Sequence, residues 1–354
     1  MISAVSTQIS PTRRRWVRTA VVVVSLVVAA VGSVLLATHH RGERATTRGV
    51  TATLHTPALP EFAVATPTSL WVSTRGRDIP NESSWGRLVQ INVGTGTVAR
   101  TVQLPGQTSN LVRYRNRVIA DAGVYQAGYN APGELLAVDW QTGRVLAHRR
   151  EQRGTGPMAV GGGRLWVVVE KPAAVLELSP NTLAPMAPTL ALSTGRMFGL
   201  AWGGGYLWAS AADDGDVLRI DPATRTITRF HVGGFPIGIV LAGGSVWVID
   251  NANATVLRLN PSTLREVGPP VHTPSGGAFY LGATDGYVFI ANEADGTITR
   301  IDDRTGTITG APIRIAPASH NSDASAAYAI APAGSAIWAT SPSTHTVSRI
   351  QAHP

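Results

Sequence analysis

The sequence predicts an all-β chain: a seven-bladed β-propeller of four-stranded blades, closed by an N-terminal strand and preceded by one transmembrane helix. Three observations carry this reading. First, an aromatic or branched anchor that ends an apolar pair recurs at Trp71, Ile119, Trp166, Trp208, Trp247, Phe289 and Trp338, at steps of 39 to 49 residues. That is the period of a four-stranded blade plus its loops. Second, another apolar run keeps the same phase, as at residues 217–220 and 256–259, and leads into Asn92, Asp139, Ser179, Asp221, Asn260 or Asp302, each with Thr three residues on. An Asx or Ser at the start of a type I turn offers its side-chain oxygen to the turn amides. Third, Thr19 opens and Thr38 ends a run of twenty uncharged residues ahead of the repeats.

Taken in order, residues 1–18 form a basic tail with Arg13, Arg14, Arg15 and Arg18 and no acid. At about 1.5 Å per residue, residues 19–38 span the roughly 30 Å of a bilayer core. Arginines on the N-terminal flank place that end in the cytoplasm, so the expected localisation is a single-pass cell-membrane protein with an extracytoplasmic propeller. A cleaved signal peptide gives the same compartment. Residues 39–49 read as a basic linker and residues 50–354 as the propeller.

Seven Arg and one Glu lie in residues 1–49, which leaves only +2 of the net +8 charge for the repeats. The basicity therefore belongs to the anchor, and nucleic acid is excluded as a partner. Absence of cysteine excludes disulfides, thiolate catalysis and thiolate metal sites.

Within the repeats, Gly161-Gly162-Gly163 and Gly203-Gly204-Gly205 fall at tight turns between first and second strands, with no helix after them to cradle a phosphate. The last unit supplies only three strands, while residues 50–55 resemble a fourth strand such as residues 226–231. An N-terminal strand that completes the last blade leaves no cut edge. The second unit, around Ile119, is the weakest match, and a six-bladed ring is the competing count.

Gly204-Gly205-Tyr206-Leu207-Trp208 followed by Val217-Leu218-Arg219-Ile220-Asp221-Pro222-Ala223-Thr224, and the parallel run from Gly243 to Thr263, resemble the bacterial YVTN, NHL and virginiamycin B lyase-like propeller repeats. The resemblance covers residues 50–354 and implies the propeller fold. Streptogramin lyases of this group carry histidines on one face, after a proline ahead of the first strand. The matching stretches here, Gly234-Phe235-Pro236-Ile237-Gly238 and Pro157-Met158-Ala159, have no histidine after the proline.

His55, His148, His231 and His272 recur late in fourth strands of separate blades, where they read as solvated edge residues. Asp213-Asp214-Gly215-Asp216 reads as a hairpin turn, without the distal Glu of a calcium loop. The informative irregularity is where the repeats have grown. Long insertions follow the second strand of unit one (Arg75, Arg77, Asp78, Trp85) and of unit two (Tyr125, Tyr129, Asn130), and a long lead-in precedes unit seven (His320, Asp323). Ring closure brings these units together, and per-repeat insertions gathered on one face mark a binding face. The arginines suit an anion and the aromatic rings a sugar or peptide.

The expected function is a non-enzymatic, membrane-anchored scaffold or sensor-like module, a monomer binding a protein, peptide or envelope glycan, with no cofactor and no catalytic or metal residue assigned. The alternative is a propeller enzyme on the same face, streptogramin lyase-like or of lactonase-type, using a divalent metal.

Overall fold

The computed structural model describes residues 45–75, 86–122, 132–170, 172–192, 195–273, 277–319 and 325–353. They form seven separate four-stranded antiparallel sheets. The first strands of neighbouring sheets touch one another all the way round, so the sheets are blades of a closed ring. Blade 2, the weakest match in sequence, is complete, with Leu111–Tyr114, Arg117–Asp121, Gly133–Asp139 and Val145–Glu151 paired in order. The count is seven.

The expected closure holds. Val50–His55 pairs antiparallel with Thr346–Gln351, from Val50 opposite Ile350 to His55 opposite Thr346, and becomes the outermost strand of blade 7. Leu54 of this strand packs with Leu70, Val89 and Ile91 of blade 1 and with Trp338 and Val347 of blade 7. Thr46, within the stretch read as linker, is already docked: its N–H donates to Pro312 O at 3.0 Å and its carbonyl accepts the Arg314 N–H at 2.7 Å.

All seven anchors are buried, from Trp71, Ile119, Trp208, Trp247 and Phe289 at 0% exposure to Trp166 and Trp338 at 3%. The core is not central. Seven apolar clusters each join one blade to the next, as where Trp166 and Val168 of blade 3 meet Leu207 and Ala209 of blade 4. Each sheet buries both faces against its neighbours, which explains why its middle strands are buried almost throughout and do not alternate between buried and exposed. At one of these interfaces Trp202 stacks on Trp166, and a Cβ at Gly161 would fall 1.8 Å from the indole, so only glycine fits there.

Strand order defines two faces of the ring. The lower face carries the first-to-second and third-to-fourth turns; the upper face carries the second-to-third turns and the blade-to-blade connections. Lower-face hairpins use paired left-handed residues, Gly162-Gly163, Gly204-Gly205 and Gly243-Gly244, with φ between +54° and +82°, the geometry a two-residue type I′ turn requires. In the third-to-fourth turns the Asx reading holds throughout. Asp302 Oδ1 accepts the Thr305 N–H at 2.7 Å and Asp221 Oδ1 the Ala223 N–H at 2.8 Å; Asn92, Asp139, Ser179 and Asn260 act alike. Hydrogen bonds from the Thr224 and Ala223 amides hold the Asp221 carboxyl below its ordinary range, and those from Thr305 do so for Asp302.

Arginines staple the blades on this face. Arg219 lies over the Tyr206 ring and reaches Pro261 O in the next blade at 2.9 Å. Arg258 lies over Trp247 and reaches Arg304 O at 2.9 Å, and Arg300 lies over Tyr287 and reaches Ala352 O at 2.9 Å.

Three outer strands depart from the regular pattern. In blades 3, 5 and 6 they shrink to Leu190–Ala191, Val271–His272 and Ile313–Arg314. Pro185, Pro188, Pro269, Pro270 and Pro312 fall in these stretches, and proline has no N–H for the ladder. Among the described residues no helix is long and apolar enough to cross a membrane; Thr19 to Thr38 lie outside them.

Candidate functional site

On the upper face the first strands begin, and five of them share an irregularity there. Pairing shifts register between Pro60 and Ala63, Thr155 and Met158, Met197 and Gly199, Pro236 and Ile239, and Ala278 and Leu281. Such a bulge re-aims side chains and disrupts the local ladder. Hydroxyls on the second strands take up backbone groups there. Ser73 Oγ accepts the Phe62 N–H at 3.0 Å, and Thr340 Oγ1 accepts the Ala329 N–H at 2.9 Å. Thr340 Oγ1 also lies 2.8 Å from Glu61 O, which ties blade 7 to blade 1. Between blades 2 and 3 the buried Asp121 accepts from Ser109 Oγ and, at 2.6 Å, from Thr155 Oγ1.

The bulged positions gather an aromatic arc. Phe62 of blade 1 meets Tyr280 of blade 6 edge-on at 5.3 Å and Tyr328, ahead of the first strand of blade 7, at 5.6 Å. Tyr280 and Tyr328 lie 4.7 Å apart, with the Tyr280 hydroxyl donating to that of Tyr328 at 3.2 Å. Phe279 continues the arc from Tyr280 at 6.4 Å, and Phe235 and Phe198 of blades 5 and 4 lie 5.6 Å apart. Arg196 covers both of those rings and pairs with Asp213 at 2.8 Å.

Beside the arc stand carboxylates in unusual settings. Burial pushes the Glu61 carboxyl up to about 7, and the Arg75 guanidinium, 3.5 Å away, pulls it only partly back. Glu293, at the second-to-third turn of blade 6, is likewise raised by burial, with Ser325 Oγ donating to it. A group whose charge is balanced near neutral pH can give or take a proton there, and strongly shifted groups beside a cleft mark candidate functional sites.

Of the residues nominated from sequence, Arg75 is described and stands at the upper end of its strand against Glu61. Arg77, Asp78, Trp85, Tyr125, Tyr129, Asn130, His320 and Asp323 lie outside the described residues. The described ends of both insertions, Arg75 with Gly86 and Ala122 with Gly133, do fall on the upper face. Glu61, Phe62, Tyr280 and Phe198 were missed as site residues; the usable signal was a large or charged residue where other units carry Gly or Pro, as at Gly156-Pro157 and Gly238.

The four outer-strand histidines sit exposed on blades 7, 2, 4 and 5, with His148 paired to Glu134 at 2.6 Å and His231 to Asp216 at 2.9 Å. Among the described residues no three His, Asp or Glu are grouped to hold a metal ion.

Comparison with known proteins agrees with the ring. Residues 170–268 match a repeat of unknown function (DUF6923), from the third strand of blade 3 through blade 4 to the third strand of blade 5. No curated protein matches the sequence. Virginiamycin B lyase from Staphylococcus aureus superposes with a TM-score of 0.65 at 13% identity, over 85% of this chain and 98% of that one. The Cps50 (Swd1) propeller domain of Myceliophteria thermophila gives 0.62 at 13% identity, over 86% and 99%. BamB from Moraxella catarrhalis gives 0.58 at 12% identity, over 85% and 99%. At such identities the shared property is the fold, and the chain is a seven-bladed β-propeller with fold-level resemblance to the virginiamycin B lyase-like group.

Proposed function

We propose that this chain is a membrane-anchored, extracytoplasmic binding propeller, tethered through residues 19–38, that takes a protein, peptide or envelope glycan on its upper face. The observation that carries the reading is the aromatic arc of Phe62, Tyr280, Tyr328, Phe279, Phe235 and Phe198 beside the Glu61–Arg75 pair. Rings of this kind offer apolar faces to sugars and side chains, while hydroxyl, carboxylate and guanidinium fix orientation. The fold shared with BamB and Cps50 is compatible with a scaffold. The test is retention of ligands from solubilised envelope by the full chain. Tyr280→Ala with Tyr328→Ala should cut retention roughly tenfold or more, as loss of hot-spot aromatics does. Undiminished retention would move the site; Trp85→Ala, Tyr125→Ala and Tyr129→Ala then ask whether the insertions hold it.

A second reading is an enzyme of the streptogramin lyase-like or lactonase type with a divalent metal. Glu61 favours it, since a carboxyl poised near pH 7 suits general acid–base work. Linear product from a cyclic depsipeptide or lactone, abolished by Glu61→Gln or by chelator, would establish this reading. No turnover of either substrate class would remove it.

A further inference from the structure

The outer edges of blades 5 and 6 are built alike, yet only one of them is covered. In blade 6 the run Gly310-Ala311-Pro312-Ile313-Arg314-Ile315 forms the edge, and in blade 5 Gly268-Pro269-Pro270-Val271-His272-Thr273 holds the same place. Both glycines are left-handed, with φ of +70° and +76°. Ile313 pairs with Ile298 as Val271 pairs with Val256. Ahead of each edge, Thr309 N–H donates to Arg300 O at 2.8 Å and Val267 N–H to Arg258 O at 2.7 Å. After it, Ile315 N–H donates to Gly296 O at 2.9 Å and Thr273 N–H to Ala254 O at 3.0 Å. Alternate residues of an antiparallel edge strand turn their backbone groups away from the sheet. Pro312 O and Arg314 N–H therefore face outward in blade 6, and Pro270 O and His272 N–H do so in blade 5.

In blade 6 those two groups are taken by the chain itself. Thr46 N–H donates to Pro312 O at 3.0 Å, and Arg314 N–H donates to Thr46 O at 2.7 Å, in a parallel bridge to Ile313. A turn follows, with Val50 N–H bonded to Thr47 O at 3.1 Å and Gly49 at φ +99°. Val50 then packs on the apolar cluster that holds Ile313. The cover shows in the exposure: Ile313 is buried, and Pro312 and Arg314 are half-buried. In blade 5 Val271 is half-buried, and Pro270 and His272 are exposed. Among the described residues no hydrogen bond reaches Pro270 O or His272 N–H. Proline does not close this edge, because a parallel bridge of this kind uses only its carbonyl, as at Pro312.

We propose that the outer edge of blade 5 at Pro270–His272 takes an extended segment of another polypeptide, parallel to the strand, as residues 45–50 dock on blade 6. The segment that fits offers the N–H and carbonyl of a threonine-like residue, then a turn that lays a branched apolar side chain against Val271. Backbone bonds supply the pairing and that side chain the selectivity. This edge belongs to an outermost strand, whereas the aromatic arc lies at the innermost ones, so the two sites are separate.

The test is hydrogen exchange read residue by residue on the full chain, with a capped synthetic peptide of residues 44–51 as the probe. In the free chain the Arg314 amide, bonded to Thr46, should exchange at least roughly tenfold more slowly than the outward His272 amide. The chain's own Thr46 is tethered at an effective concentration on the order of millimolar and keeps blade 6. Peptide at several times that concentration should slow His272 roughly threefold or more and leave Arg314 unchanged. A peptide N-methylated at its first threonine cannot donate to Pro270 O and should have no effect, with the protein itself unaltered. Unchanged His272 exchange with the unmodified peptide would overturn the proposal, as would equal slowing by the N-methylated one. Slowing that follows protein concentration without any peptide would identify a second copy as the occupant and also overturn it. So would an Arg314 amide as fast as that of His272 in the free chain, since the blade 6 precedent would then be absent.

Discussion

The lower and upper faces of the ring are the two ends of the same strands, yet they are built by different rules. On the lower face one solution is repeated: an Asx or Ser oxygen caps the turn, and an arginine over an aromatic ring reaches the next blade's carbonyl, as Arg219, Arg258 and Arg300 do. On the upper face five ladders are broken by bulges, and the freed positions are filled differently from blade to blade: Glu61 with Phe62, Phe198, Phe279 with Tyr280. Repetition holds the ring together, and departure from repetition is where unlike side chains meet, as Phe62, Tyr280 and Tyr328 do. The difference teaches that the repeated turns and the varied strand starts lie at opposite ends of the strands, so substitutions at the two ends should have separable effects.

The largest expected effect tests whether both faces depend on one closed ring. Deleting residues 50–57 removes the outermost strand of blade 7 and Leu54 from the seam with blade 1. The loss should exceed ~4 kcal/mol, beyond the range of ordinary point substitutions, read as the urea midpoint of the full chain. An unchanged midpoint would show that the two faces stand without closure.

Glu61→Gln sharpens the comparison on the upper side. The Glu61 carboxyl is raised by burial, so its ionisation opposes folding: stability is highest below the unfolded carboxylate range and declines as pH rises toward and through about 7. The variant should remove that decline and be more stable above pH 7, by up to ~3 kcal/mol for a shift of this size. A parallel pair of stability–pH curves would contradict the buried setting of Glu61.

On the lower side the sign reverses and the effect is the smallest. Asp302 is held below its ordinary range by the Thr305 amide and hydroxyl. Its contribution is present at neutral pH and is lost as pH falls through the depressed value. Asp302→Ala should therefore be less stable than the parent at pH 7 and converge with it in strong acid. Curves that converge at neutral pH instead would place the carboxylate outside the turn.

Much of the lower face was legible in the sequence because its rules are local. Hydrophobic period located Trp71, Trp208 and Phe289, and the Asx-to-Thr spacing located the turns. The missing strand of the last unit pointed to Val50–His55 as its replacement. The upper face was less legible for two physical reasons. A bulge changes the register, and a one-residue change decides which side chain turns inward, so Glu61 and Phe62 gave no periodic sign of their setting. The arc also joins Phe62, Tyr280 and Tyr328, which only ring geometry brings together. Outer strands of blades 3, 5 and 6 were read as ordinary repeats, and prolines cut them to two residues each. Attention to long insertions singled out Arg75, which stands against Glu61, and passed over the strand starts beside it.

The most direct test of the account is a covalent lock across the closure. Thr53 and Ser348 are paired residues of the first and last strands, with side-chain oxygens 3.3 Å apart, in a chain without other cysteines. The account predicts that Thr53→Cys/Ser348→Cys oxidises within one molecule and unfolds at a higher temperature than its reduced form. Free thiols that persist under oxidation, or cross-linking only between molecules, would contradict a ring sealed by its amino-terminal strand.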